Sequence, residues 1–201
     1  MKRLILATRN RGKVSEIKAL LSGLPLEIVT LDDLPDLPPV EEDQPTFAGN
    51  ASKKAETIAR ACGEAALADD SGLEVDYLDG RPGVFSARFA GPEAGDAANN
   101  TFLLEKLQGV PDEKRGAAFK CVIALVVPGG ETYLVEGSCR GRIDQSPRGG
   151  AGFGYDPLFI YEPAGLTFAQ MGADEKNRVS HRGQALRKLR SLLEGLLAAG
   201  P

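Results

Sequence analysis

The chain carries a single histidine, His181, in 201 residues. That scarcity excludes histidine-rich zinc, copper and non-haem iron sites, and any Ser-His-Asp or Cys-His chemistry would have to pass through this one ring. Cysteine is scarce as well. Cys62, Cys121 and Cys139 are odd in number and form no C-x-x-C pair, so neither a disulfide framework nor a zinc cage is implied, and they read as small buried apolar residues. Positive charge is not in excess either: 24 Lys and Arg against 28 Asp and Glu leave a formal net charge of −4. That balance argues against a broad surface for DNA or RNA phosphates, though a few converging basic groups can still meet a small anion. No apolar run approaches the roughly 20 residues that span a bilayer. The run after Met1-Lys2-Arg3 is too short for a secretory signal and is followed at once by Arg9 and Arg11. These absences lead to the expectation of a cytoplasmic protein with no membrane or nucleic-acid partner, in which any catalytic metal sits on oxygen ligands.

What is present fits one ordinary globular domain spanning residues 1–201, with 42% hydrophobic and 26% charged residues. Leu4 to Thr8 reads as a short buried strand, and Val14, Ile17, Leu20 and Leu21 then recur at helical spacing. Leu26 to Val29 reads as a second strand, and the Pro-rich acidic segment from Asp33 to Pro45 as loop. Thr46 is a candidate N-cap for a helix with Phe47, Ala51, Ala55, Ile58, Ala59 and Cys62 on one face, stopped by Gly63. Ala65 to Ala68 is a small apolar strand ending in Asp69-Asp70-Ser71-Gly72. Pro82 to Gly95 reads as irregular, and Phe102 to Leu107 as a helix closed by Gly109. Two long strand-like runs, Ala117 to Val127 and Glu131 to Ile143, meet at the turn signal Pro128-Gly129-Gly130. A polar stretch from Met171 to Gly183 leads to a last helix with Leu186, Leu189, Leu192, Leu193 and Leu196 inside. Interleaved strands and helices with a late hairpin predict an α/β domain on a mixed sheet.

Four stretches carry candidate chemistry. Thr8-Arg9-Asn10-Arg11-Gly12-Lys13 at a strand-to-helix junction combines helix-start N–H groups, a glycine, a hydroxyl, an amide and an ammonium, which suits a phosphate chain; it also reads as a capped surface helix, and its spacing is not that of a Walker A loop. Asp69-Asp70, with Glu41-Glu42-Asp43 as helpers, suits Mg²⁺ shared with substrate phosphates and a carboxylate that takes the proton of an attacking water. Consecutive side chains on an extended segment point opposite ways, so one of the pair faces such a site, and a plain polar turn is the other reading. Gly149 to Asp156 is glycine-rich, and Phe153 within it could offer a ring face to a base or belong to the core. Lys176, His181 and Arg182 supply donors for the carbonyl edge of an oxopurine, or lie in solvent while Ser180 or a neighbour caps the last helix. No G-x-S-x-G elbow occurs, which makes His181 a poor hydrolase base.

Together these describe a nucleotide site, and over its whole length the sequence resembles the inosine triphosphate pyrophosphatase family, the bacterial dITP/XTP pyrophosphatases. The resemblance runs through Leu6-Ala7-Thr8 with Asn10 and Lys13, Glu41-Glu42, Thr46-Phe47, Asn50-Ala51, and Ala68-Asp69-Asp70-Ser71-Gly72-Leu73. It continues through Pro82 to Arg88, Gly152-Phe153-Gly154-Tyr155-Asp156-Pro157, and Ser180-His181-Arg182-Gly183. Arg9 stands where that family usually has Gly, and Phe85 and Phe89 where Tyr is common. The resemblance implies an elongated twisted mixed sheet flanked by helices, two lobes with a central substrate cleft, and a homodimer. It implies that Thr8, Asn10 and Lys13, with the rest of their loop, hold the phosphates; that Asp70 is the proton acceptor and a Mg²⁺ ligand; that Glu42 is the second metal carboxylate; and that Ser71 touches substrate. Phe153, Gly154, Tyr155 and Asp156, with Lys176, His181 and Arg182, would surround the nucleoside. The expected reaction is hydrolysis of ITP, dITP or XTP to the monophosphate and pyrophosphate. A pyrophosphatase for modified pyrimidine triphosphates and a nucleotide-binding regulator that does not cleave are the alternatives. Asp70, with the ordinary aspartate pKa near 3.9, is expected to be ionised at neutral pH without special tuning.

Overall fold

The computed structural model describes residues 1–37 and 39–198; Pro38, inside the expected acidic loop, and residues 199–201 of the expected domain lie outside it. Seven strands form one sheet in the order β2-β1-β3-β4-β5-β6-β7. They are β1 (Arg3–Leu6), β2 (Glu27–Thr30), β3 (Ala65–Val75), β4 (Gly116–Val126), β5 (Thr132–Ile143), β6 (Phe159–Tyr161) and β7 (Leu166–Thr167). β1 runs parallel to β2 and to β3, whereas β6 runs antiparallel to β5 and β7, so the sheet is mixed. Among the described residues five α-helices accompany it: α1 (Arg11–Leu21), α2 (Phe47–Cys62), α3 (Asp96–Lys106), α4 (Ala173–Val179) and α5 (His181–Ala198). This is the expected α/β class. Among the described residues no helix is long and apolar enough to cross a membrane.

The chain sorts into two compact units, each discontinuous in sequence: Met1–Asp70, Cys121–Gly137 and the chain from Arg182 onward form the first, and Ser71–Lys120 with Ser138–His181 the second. In the first unit the two-residue period of the strands decides which helix meets which residue. Leu4, Leu6, Ala65, Leu67, Cys121, Ile123 and Leu125 pack with Ile17 and Leu21 of α1 and Ala185, Leu186, Leu189 and Leu193 of α5. The intervening residues Ile5, Ala7, Ala66, Ala68 and Ala124 pack with Ala51, Ala55, Ile58 and Ala59 of α2. Small residues on that second face let the alanine-rich side of α2 approach. Thr46 caps α2, accepting the Gly49 N–H at 3.1 Å, and Gly63 ends it in the left-handed region.

The second unit is built around aromatic rings, with Phe119, Phe159 and Phe168 in mutual contact among Leu73, Val75, Leu103, Leu107 and Ile143. Arg115 is wholly buried there, its guanidinium donating to the carbonyls of Ile143, Leu107 and Asp144.

Three expectations are corrected. The acidic pair does not end a strand, because β3 continues through Asp69, Asp70, Ser71 and Gly72 to Val75; charged partners on both faces let buried carboxylates sit in mid-strand. The irregular segment before α3 contains a 3₁₀ helix, Gly83–Arg88. The polar stretch before the last helix is itself mostly helical, α4 followed after Ser180 by α5, so His181 and Arg182 open a helix.

Candidate functional site

The first unit assembles its charged side chains on β3. Because the strand alternates, Asp69 shares the face of Ala65 and Leu67, toward α1 and α5, and Asp70 the face of Ala66 and Ala68, toward α2. The partners follow that division. Asp69 Oδ2 lies 2.9 Å from Lys13 Nζ of α1 and 3.4 Å from Arg182 Nε of α5, whose Nη1 donates to Glu16 at 2.6 Å. Asp70 Oδ2 accepts from Asn50 Nδ2 of α2 at 3.0 Å, and Asp70 Oδ1 is 3.7 Å from Lys54 Nζ of the same helix.

Lys54 is the hub of this face. Its ammonium also donates to Glu42 Oε1 and, at 2.8 Å, to the Asp69 carbonyl. The segment carrying Glu42 is wrapped onto the start of α2: Lys53 pairs with Asp43 at 2.8 Å, and Gln44 N–H donates to Asn50 Oδ1 at 2.9 Å. A Cβ on Gly49 would lie 2.8 Å from Gln44 Cβ, so glycine permits the close approach.

The two carboxylates are driven in opposite directions. Burial alone would raise the Asp69 pKa, yet Lys13, Arg182 and Lys54 together hold it well below the usual carboxylate range. Burial raises that of Asp70; Lys54 opposes it, and the negative Glu42 adds to it. The expectation of an untuned Asp70 is therefore corrected. Burial works against the Lys54 ammonium, but Asp70, Asp69 and Glu42 raise its pKa on balance. Cys121, on the Asp69 face, has its thiol pushed up to about 12 by burial, so it stays a neutral core group.

Of the phosphate-loop candidates, Thr8 to Lys13 span the turn from β1 into α1. Thr8 Oγ1 accepts the Asn10 N–H at 3.3 Å, and Asn10 caps α1 by accepting the Lys13 N–H at 3.1 Å. Arg11 and Gly12 form the first helical positions, with Arg11 exposed. Arg9 turns to the 31–37 segment, where Nη2 donates to the Leu37 carbonyl at 3.2 Å. Ser71 is half-buried in β3.

The second unit groups the aromatic and basic candidates. Asp156 Oδ2 accepts from Lys176 Nζ at 2.6 Å and from the Phe153 N–H at 2.9 Å. Lys176 Nζ stands 4.9 Å from the centre of the half-buried Phe153 ring. His181 is buried and stacks on Phe119, ring centres 4.7 Å apart and planes 10° from parallel. Gly154 lies in the left-handed region at φ 62°. Tyr155 belongs to the core: its ring is buried and its hydroxyl donates to the Ser86 carbonyl at 2.9 Å. Arg182, the residue after His181, is the buried partner of Asp69 and Glu16.

Sequence reasoning missed Lys54 as a charged hub and Asn50 as a hydrogen-bond donor to Asp70. Both occupy core-facing positions of an apolar helical stripe, where a polar residue is an anomaly that needs a partner; that anomaly was the available signal.

The Ham1 family model matches residues 4–192. A dITP/XTP pyrophosphatase from Geobacter sulfurreducens is 55% identical over 193 residues, covering 96% of this chain and 97% of its own length. One from Bacillus licheniformis is 50% identical over 194 residues, covering 96% and 99%. The solved structure of a HAM1 protein from Coxiella burnetii superposes with a TM-score of 0.90 at 40% identity, covering 97% of this chain and 100% of that one.

Proposed function

The chain belongs to the Ham1 family, and from that premise we propose that it hydrolyses non-canonical purine nucleoside triphosphates, ITP, dITP and XTP, to the monophosphate and pyrophosphate. The observation that carries the reading is the pair of carboxylates, Glu42 and Asp70, gathered around one ammonium beside a buried Asp69 that binds Lys13. Their fit to Mg²⁺ is good: both are hard oxygen donors, and the repulsion from Glu42 that helps raise the Asp70 pKa is what a shared cation relieves. Mg²⁺ is commonly held by one or two carboxylates and completed by phosphates and water. When bound, Mg²⁺ would offset the negative charge of the phosphates.

The chain's own residues then divide the work. Asp70 accepts the proton of a water whose oxygen attacks the α-phosphorus; the new P–O bond forms as the α–β bridging bond breaks and pyrophosphate leaves. The raised pKa makes Asp70 a better proton acceptor than an exposed aspartate. Lys54 and Asn50 hold that carboxylate in place. Thr8, Asn10 and Lys13 attend the phosphates, and Phe153, Lys176 and His181 attend the base, the ring against its face and the donors toward its oxygen edge. We further assign the enzyme to the cytoplasm, as a homodimer acting on free nucleotides. We treat residues 1–201 as one functional domain because β3, β4 and β5 each run through both units.

Incubation with ITP, XTP, ATP, GTP and a modified pyrimidine triphosphate in Mg²⁺ should release pyrophosphate from the first two preferentially. Orthophosphate as first product, or equal use of ATP, would overturn the reading. Chelation of the divalent ion should stop turnover.

A further inference from the structure

The first turn of α3 spends its buried polar side chains on the backbone of two loops. Asp96, Asn99 and Asn100 stand at i, i+3 and i+4, one face of the helix. Asn99, only 3% exposed, accepts the Ala90 N–H at 2.8 Å and donates to the Ala87 carbonyl at 3.0 Å. Asp96 Oδ2 accepts the Gly154 N–H at 2.6 Å, and Asn100, 9% exposed, donates Nδ2 to the Gly154 carbonyl at 2.9 Å. Asparagine is a poor helix former, and buried amides cost free energy unless they are hydrogen-bonded, so this turn is built for its bonds to the loops.

The geometry bears on Phe153. A peptide unit is planar, so a residue whose two flanking peptides are held has its φ and ψ fixed, and its Cα–Cβ direction with them. The peptide entering Phe153 is held through its N–H by Asp156, and the peptide leaving it through the Gly154 N–H by Asp96. Asn100 holds the following peptide, so Gly154, which has no side chain of its own to anchor, is gripped on both sides.

We propose that Asp96 and Asn100 are positioning residues for base discrimination, clamping the peptides around Gly154 so that the Phe153 ring is presented at one angle. The inference rests on the reading of Phe153 as the surface that meets the base.

The test measures kcat and KM for ITP and GTP, together with amide hydrogen exchange over residues 152–156 in the nucleotide-free protein. Asp96 is exposed, so Asp96→Ala leaves no buried cavity. It should raise KM for ITP about tenfold, the equivalent of one charge-assisted hydrogen bond, with kcat changed less than about threefold. The preference for ITP over GTP should fall, and exchange at Gly154 should quicken. Asn100→Ala should act in the same direction. Asp96→Asn keeps an acceptor for Gly154 while removing the charge that favours the helix N-terminus, and should return KM to within about twofold of the parent. Unchanged KM and base preference in Asp96→Ala overturn the proposal, whatever the exchange rate. So does an equal loss in Asp96→Asn, which would trace the effect to helix charge. A parent protein that releases no pyrophosphate from ITP overturns the proposed function instead. The clamp is then judged by exchange alone: faster exchange in Asp96→Ala sustains it and unchanged exchange overturns it.

Discussion

Asp69 and Asp70 are neighbours in sequence and both buried, yet the two faces of β3 give them opposite electrostatics. Asp69 is held ionised far below the usual range by Lys13, Arg182 and Lys54, cations from three helices; Asp70 shares the Lys54 ammonium with Glu42 and has its pKa raised. The lesson is that burial does not by itself decide what a carboxylate does. A carboxylate whose charge is fully matched is an anchor that ties helices to a strand. One whose charge is incompletely matched retains affinity for a proton or a cation, which is what proton transfer and metal binding need.

Exchanging each acid for its amide separates the two roles most sharply. Asp70→Asn should lower kcat by about a thousandfold or more through loss of the proton acceptor. Its melting temperature should match or exceed the parent's, because a group with a raised folded pKa is penalised when ionised, and the amide removes that penalty. A variant that melts early instead would make Asp70 an anchor too.

Asp69→Asn should lose about 3–5 kcal/mol of stability by taking one counter-charge from buried Arg182, which keeps Glu16, and the Asp69 partner from half-buried Lys13, read as a denaturant midpoint. The sign with pH follows. The depressed Asp69 pKa contributes stability that is fully present above 3.8 and lost as pH falls toward the lower folded value. The amide should therefore flatten the acid side of the stability curve, and an unchanged slope would remove Asp69 as its source.

A smaller effect tests the Asp70 face through its cation. Asp70 must be ionised to accept a proton, so activity should fall as pH drops through a pKa above 3.8. Lys54 lowers that pKa, and Lys54→Met should move the acid limb of kcat/KM to higher pH. A limb that stays in place would mean that another group controls it. The mildest change is Thr46→Ala, which removes the N-cap of α2 and should cost about 1 kcal/mol in chemical denaturation. A loss of several kcal/mol would show that α2 and the Glu42 segment unfold together.

Much of this comparison was legible beforehand. The two-residue period of a strand requires Asp69 and Asp70 to face opposite ways, and the apolar stripes of α1, α2 and α5 mark the helices that cover those faces. Thr46, Gly63 and the Pro128 to Gly130 turn were readable because capping and turn chemistry are local, and Gly130 N–H does close that turn on the Val127 carbonyl at 2.9 Å. Lys54 went unread because a lysine in a helix normally extends to solvent, and nothing local shows that three acidic residues converge on this one. The burial of Tyr155 was not legible because the Ser86 carbonyl that accepts its hydroxyl is distant in sequence.

The sequence by itself therefore determined the class of the fold, the alternation along β3 and the kinds of group available, because periodicity, caps and turns depend on residues close along the chain. Which acid is held ionised by cations and which has its pKa raised was decided only by tertiary structure. The charges that set them apart come from Lys13, Glu42, Lys54 and Arg182, far apart in the chain, and electrostatic energy depends on distance through space.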